Sequence, residues 1–306
     1  MSPPIPFDSR STADDVVARL DLKGRTILVT GCNSGIGFET IRALSARGAH
    51  MIGLARSLQA ASEACSRLGS SASATPVACD LGDLISVVAA ANTVGTLGRP
   101  LDAIVCNAGV MCPPSLEVRY GVELQFLVNH IGHFLLVNRL LHRVPDRTGR
   151  IVIVSSSAST EFAPKEGIMF DNLDGSRFYK PFTFYGQSKL ANALFAMELS
   201  RRLAPRQIAV NSLHPGAVGG TGLQRSLRFP FTLIMPIARL FMKSIAQGAA
   251  TQTLLAVSPL VAGVTGKYWS ACRVSEGSPF LDQPVIAERL WSTSEEIIAA
   301  HALATT

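Results

Sequence analysis

The sequence predicts a single-domain α/β protein built on a doubly wound, mostly parallel sheet with helices on both faces. Three observations predict it. Short runs that are apolar at nearly every position alternate with helical runs along almost the whole chain. Strands of that kind are buried on both faces, and the segments between them are long enough for crossover helices. The first strand ends in a glycine cluster that opens a helix, the place where such sheets receive a phosphate.

Taken in order, TILVT at 26–30 is the first strand and GCNSGIG at 31–37 the turn after it. FETIRALSARG then reads as a helix stopped by glycine. AHMIGLA at 49–55 is the second strand and SLQAASEACSRLG the next helix. TPVACD at 75–80 and a helix from about Asp83 to Leu97 make a third unit. LDAIVCNAG at 101–109 is the fourth strand, and the apolar stretch 116–142 is expected to be mostly helical. RIVIVSSS at 150–157 is the fifth strand. A helix over 185–204 leads into a sixth, QIAVNSLHPG, and a helix over 246–257 precedes GKYWS at 266–270, a short seventh. Residues 1–21 are expected as an extension, 22–300 as the domain and 301–306 as a tail, with no repeats or low-complexity tract.

Composition agrees. Of 306 residues, 47% are hydrophobic and 16% charged, enough for a large core and unlike a disordered chain. No apolar stretch reaches the roughly 18 residues of a membrane span. MSPPIPFDSRSTADDVV lacks the basic and then apolar run of a secretion signal. The six cysteines match neither a zinc pattern nor a CxxC pair, so free thiols are expected, with Cys79 and Cys106 ending core strands. The charge of +6 is localised: residues 199–275 carry nine basic side chains and no acidic one.

Glycines at 31, 35 and 37 follow the spacing GxxxGxG, between a strand and a helix. Glycine at the strand exit lets backbone approach a pyrophosphate, and the helix N-terminus then faces it. Tyr185 and Lys189 are one helical turn apart and share a face. A lysine ammonium near a phenol favours the phenolate, whose ordinary pKa of about 10 is high for proton transfer at neutral pH.

TGCNSGIG at 30–37, NAG at 107–109, NHIGHF at 129–134, SS at 155–156, YGQSK at 185–189 and HPG at 214–216 together resemble the short-chain dehydrogenase/reductases, a family of Rossmann-type fold. The resemblance spans about 22–300. NHIGHFLL, the insertion 158–183 with FDNLD, YGQSKLANALFAMEL and GKYWSACRVSEGSP followed by AERLW look most like the retinol dehydrogenase branch. The resemblance implies a catalytic set of Asn129, Ser156, Tyr185 and Lys189. Tyr185 would exchange a proton with the substrate oxygen, Ser156 would hold that oxygen, Lys189 would also hold the nicotinamide ribose, and Asn129 would extend a water-linked relay. It places the cofactor against Gly31, Asn33, Ser34, Gly35, Ile36 and Gly37, with Asp80 and Leu81 at the adenine. By the same resemblance Asn107 and Gly109 would line the nicotinamide ribose, and Ala108, Pro215, Gly216, Val218 and Thr221 would be further cofactor contacts.

The second strand ends LARS, with Ala55 where an NAD-specific member commonly has an acid and Arg56 next to it. An arginine there suits a 2′-phosphate, so NADP(H) is expected over NAD(H). One departure stands out: HPGAVGGTG puts Gly220 where a threonine is expected, with Thr221 one residue later. His130, His133 and His214 lack a carboxylate or third ligand at useful spacing, so packed histidines are expected and no metal is required.

LQRSLRFPFTLIMPIARLFMKSI at 223–245 lies within the expected substrate lid, about 217–245. Plain packing of the lid against the core is the leading reading; its apolar side chains suit a lipophilic ligand, and beside Arg225, Arg228, Arg239 and Lys243 they also suit peripheral contact with anionic lipid. The expected function is hydride transfer between nicotinamide and a lipophilic carbonyl or alcohol of retinoid-, steroid- or xenobiotic-like kind. Two alternatives stay open: a same-fold reductase of a polar metabolite or polyketide-like ketone, and a catalytically weak nucleotide-binding regulatory or scaffold protein. A homodimer and a cytoplasmic location, with membrane association through the lid, complete the expectation; nucleic acid is not an expected partner.

Overall fold

Every residue of TILVT is buried, and its side chains divide between two cores. Leu28 points to one face of the sheet while Ile27 and Val29 point to the other. Ile151 and Ile153 likewise part from Val152 and Val154, the two-residue alternation of a strand covered on both sides. The structure, a computed structural model, describes residues 4–219, 242–301 and 303.

Among those residues the main sheet has eight strands: β1 (Thr26–Thr30), β2 (His50–Ala55), β3 (Ala74–Ala78), β4 (Ala103–Cys106), β7 (Arg150–Val154), β8 (Ala209–His214), β9 (Tyr268–Ser270) and β10 (Arg273–Ser275). Their spatial order is β3-β2-β1-β4-β7-β8-β9-β10. All pairs are parallel except the last. The doubly wound sheet expected from the sequence is the sheet found.

One face carries α1 (Ala13–Val17), α2 (Gly35–Ser45), α3 (Leu58–Ser66) and, after the undescribed stretch, a helix at Ile245–Val257. The other carries α4 (Leu84–Thr96), a broken helix made of α5 (Leu124–Phe126) and α6 (Gly132–Leu140), the long α8 (Pro181–Arg202) and a C-terminal helix at Pro284–Ala299. A short α7 (Ala158–Glu161) follows β7.

The stretch 116–142 is not continuously helical. Val118–Arg119 and Val122–Glu123 form a small hairpin, β5 and β6, turned by Tyr120 and Gly121 at φ +54° and +74°. Two consecutive positive φ values suit a two-residue hairpin turn. The helix starts only after Glu123, whose buried carboxylate accepts from the backbone N–H of Gln125 and Phe126 at 2.8 and 3.1 Å. Between α5 and α6, Leu127–Ile131 forms a π-helical turn that holds Asn129. Strands 101–109 and 150–157 also end early, at Cys106 and Val154, because the residues beyond turn out of the ladder into the site.

Candidate active site

The strand order reverses between β1 and β4, which opens a crevice at their carboxyl ends. The glycine turn after β1 and the Asn107–Gly109 turn after β4 meet there. Gly31 takes φ +69°, and a Cβ on Gly37 would lie 2.2 Å from the Gly31 carbonyl oxygen and 2.5 Å from Asn107 Nδ2. Nothing larger than glycine fits at 37, so the start of α2 sits directly on the turn. Ser34 is the N-cap of α2 and makes no side-chain cap bond, so the helix presents its first amides outward. This cradle fits a pyrophosphate.

At the edge of the crevice Arg56 follows β2, exposed, with no acid at Ala55. Arg67, which sequence reasoning passed over, stacks on the Phe38 ring at 3.7 Å and reaches the Asn33 carbonyl at 3.4 Å. Asp80 Oδ1 accepts from Gly82 N–H at 3.0 Å beside the buried Leu81. Pro215 and Gly216 leave β8, and Val218 pairs with Lys243 as an isolated parallel bridge. Thr221 and the lid residues 220–241, with Arg225, Arg228 and Arg239, lie outside the described residues.

The remaining predicted residues converge. Tyr185 and Lys189 lie on α8, and the Tyr185 hydroxyl faces Ser156 just beyond the end of β7. Ser156 Oγ accepts from Ala158 N–H at 3.2 Å. Of its neighbours, Ser155 Oγ donates to the Lys189 carbonyl at 2.6 Å, and the backbone N–H of Ser157 donates to His214 Nδ1 at 3.1 Å. Lys189 Nζ, buried, donates to the Val154 carbonyl at 3.2 Å. A Cβ on Gly109 would lie 3.0 Å from Asn129 Oδ1 and 3.3 Å from Lys189 Nζ, so these groups meet over that glycine. The Asn129 side chain is committed to Val110 and Ser188.

Electrostatics differ from the expectation at one point. Burial, partly offset by the neighbouring Ser156 hydroxyl, pushes Tyr185 up to about 12, while burial draws Lys189 down to about 8. Lys189 Nζ stands 5.8 Å from the Tyr185 ring centroid and is bonded to a carbonyl, so desolvation prevails over its charge. The phenol is therefore held in its proton-donating form at neutral pH. Around it Met111, Cys112, Ala158 and Phe182 make an apolar wall, extended by Phe162 against Phe182 at 5.4 Å between ring centroids.

The family model for short chain dehydrogenase matches residues 25–168. The chain is 38% identical over 303 residues to short-chain dehydrogenase TIC 32 B, chloroplastic, of Brassica napus, covering 95% of this chain and 94% of that protein. This protein is a short-chain dehydrogenase/reductase. Among further relatives, the human WW domain-containing oxidoreductase is 37% identical (95% of this chain, 72% of that one). Human retinol dehydrogenase 14 is 35% identical (90% and 87%). The relatives thus span several branches of the family, and the retinol dehydrogenase branch is one of them. Among solved structures, an uncharacterized protein from Mycobacterium Paratuberculosis superposes with a TM-score of 0.72 at 29% identity, covering 94% of this chain and 97% of that one. An angucycline C-6 ketoreductase, LanV, with bound NADP gives 0.63 at 29% identity, covering 81% and 94%.

Among the described residues of this short-chain dehydrogenase/reductase no cluster of His, Cys, Asp and Glu could hold a metal, and no helix is long and apolar enough to cross a membrane. All six cysteines are free thiols. His130 and His133 are buried without exposure, the first with Nε2 2.9 Å from Ser294 Oγ. Burial lowers them to about 3 and about 4, and His214 to about 4. The unfolded chain takes up protons on these rings below about 6.5, whereas the folded chain does not. Their contribution to stability is therefore present above about 6.5 and is lost as pH falls towards 4. For His130 and His133 the loss at pH 5 is about 2 kcal/mol each. Urea unfolding at pH 7 and pH 5 checks this; equal free energies at the two values would show that the rings are protonated in the folded protein.

Proposed function

We propose that this protein is an NADP(H)-dependent oxidoreductase that moves a hydride between nicotinamide and a lipophilic carbonyl or alcohol, with Tyr185 as general acid and base. The observation that carries the reading is the convergence of Tyr185, Ser156 and Lys189 on an apolar wall beside the glycine cradle. Bound NADP(H) supplies or accepts the hydride. The chain's residues do the rest. In reduction the Tyr185 phenol donates its proton to the substrate oxygen as negative charge develops there. Ser156 Oγ, beside that phenol, holds the same oxygen, and the Lys189 ammonium supports the site electrostatically. Oxidation runs the same proton transfer in reverse. The turn at Asn107–Gly109 would line the nicotinamide side, and the Ser34–Gly37 amides would hold the pyrophosphate.

The wall of Met111, Cys112, Ala158, Phe162 and Phe182 supports an apolar substrate of retinoid-, steroid- or xenobiotic-like kind, as does the likeness to retinol dehydrogenase 14. A polyketide-like ketone is the second reading, favoured by the likeness to the angucycline ketoreductase. Cofactor choice rests on Arg56 at the end of β2 and on that NADP-bound relative.

Turnover of a panel of lipophilic aldehydes and ketones with NADPH and NADH in parallel tests the reading. Arg56→Ala is expected to raise KM for NADPH about 10- to 100-fold while KM for NADH stays within about 3-fold, the loss of charge-assisted bonds to one phosphate. A wild-type preference for NADH would overturn the cofactor assignment. Tight cofactor binding with no turnover of any compound would favour a regulatory role instead.

A further inference from the structure

Thr30, the last residue of β1, accepts the backbone N–H of both Asn107 and Ala108 on its Oγ1, each at 3.0 Å. Both lone pairs of the hydroxyl are thereby used, and its proton has to be donated. His133 Nε2 lies 2.8 Å away. That nitrogen accepts, so it carries no hydrogen. His133 Nδ1 lies 2.9 Å from the Asn129 carbonyl oxygen, which only accepts, so Nδ1 holds the ring proton. The relay therefore runs one way, from the nicotinamide-side turn through Thr30 and His133 to the backbone of Asn129.

The receiving carbonyl lies inside the π-helical turn Leu127–Ile131, and such turns are frequent at functional sites. Asn129 Oδ1 accepts from Val110 N–H, and Nδ2 uses both hydrogens, on Val110 O and Ser188 Oγ. Ser188 Oγ in turn donates to the Tyr185 carbonyl at 2.8 Å. The groups that meet over Gly109, Asn129 and Lys189, thus owe their register to how Asn129 is held. A neighbouring ring, His130, uses the opposite nitrogen: Ser294 Oγ donates to the Leu290 carbonyl at 2.7 Å and so accepts from His130 Nε2–H.

We propose that His133 is a positioning residue: as a neutral Nδ1–H imidazole it ties the Asn107–Gly109 turn to the Asn129 backbone and so sets Lys189 and Tyr185 against the nicotinamide. It touches neither substrate nor cofactor. The kinetic arm of its test rests on the oxidoreductase reading; the spectroscopic arm does not.

The experiment uses the full chain as wild type, His133→Phe, His133→Asn and His133→Gln. Nitrogen NMR of 15N-histidine-labelled protein, with and without NADPH, is expected to show His133 protonated on Nδ1 alone and unchanged down to pH 5.5. His133→Phe is expected to lower kcat about 10- to 100-fold, with substrate KM and the fluorescence-measured Kd for NADPH within about 3-fold, as for a small displacement of reacting groups. His133→Asn keeps a donor near Nδ1 for the Asn129 carbonyl and is expected to recover most of that loss. His133→Gln reaches Thr30 but not that carbonyl and is expected to recover little. An Nε2–H ring, or one that titrates above pH 5.5, overturns the proposal whether or not the wild type turns over. So does a kcat that follows the melting temperature across the three variants, which would mark a purely structural histidine.

Discussion

Tyr185→Phe is expected to lower kcat for carbonyl reduction about 10²- to 10⁴-fold, the usual contribution of a positioned general acid. The Kd for NADPH should stay within about 3-fold. The physical reason lies in the surroundings of the ring. Tyr185 is buried among Cys112, Ala158, Met111 and Phe182, so the phenyl ring of the variant keeps the same packing. What disappears is the hydroxyl beside Ser156, held protonated with a pKa raised to about 12. Lys189 cannot take its place, because its Nζ is turned to the Val154 carbonyl. Single-turnover kinetics with a saturating aldehyde would measure it. A variant retaining more than a tenth of the wild-type rate would remove Tyr185 from the mechanism while leaving the fold assignment untouched.

Gly37→Ala is expected to weaken NADPH binding by at least about 100-fold and to lower stability by about 1–3 kcal/mol. The added methyl would stand 2.2 Å from the Gly31 carbonyl oxygen, 2.5 Å from Asn107 Nδ2 and 2.9 Å from the Gly31 carbonyl carbon. Two of these three neighbours are backbone, and they belong to the turn whose shape makes the cradle. Relief requires α2 to lift away from the turn, and the amides at its N-terminus move with it. Gly95→Ala is the matched control. Gly95 lies in α4 with nothing within 4 Å of an added Cβ, so alanine there should leave binding unchanged and stabilise the helix by up to about 1 kcal/mol. Fluorescence titration with NADPH and thermal melts of both variants would check the pair. Undiminished binding in Gly37→Ala would mean that the cofactor phosphates lie elsewhere.

The short-chain dehydrogenase/reductase motifs were legible because each depends on residue type at short spacing. GxxxGxG serves one turn, and Tyr185 and Lys189 share a face whatever they pack against. The hairpin closing the sheet was not legible. Ala271 and Cys272 turn β9 into β10 with φ of +50° and +60°, and neither is a residue that advertises such a turn. Nor was the break before α5 read from the sequence, since the hairpin it makes way for is only two residues long in each strand. His133 looked like one more packed ring, because the partner that gives it direction, Thr30, is 103 residues away.

By itself, then, the sequence determined the order of strands and helices, the double burial of the sheet, the phosphate turn and the shared face of Tyr185 and Lys189. Those properties follow from periodicity and spacing over a few residues, where the backbone's own geometry decides. Only the tertiary structure decided how the groups are charged and aimed. Burial set Tyr185 at about 12 and Lys189 at about 8, against the influence that the lysine's charge alone would have had. It also occupied the Ser155 hydroxyl with the Lys189 carbonyl, and it ran the hydrogen bonds from Thr30 through His133 to Asn129. Desolvation and hydrogen-bond direction depend on what is brought close in space, and chain-distant partners leave no trace in local spacing.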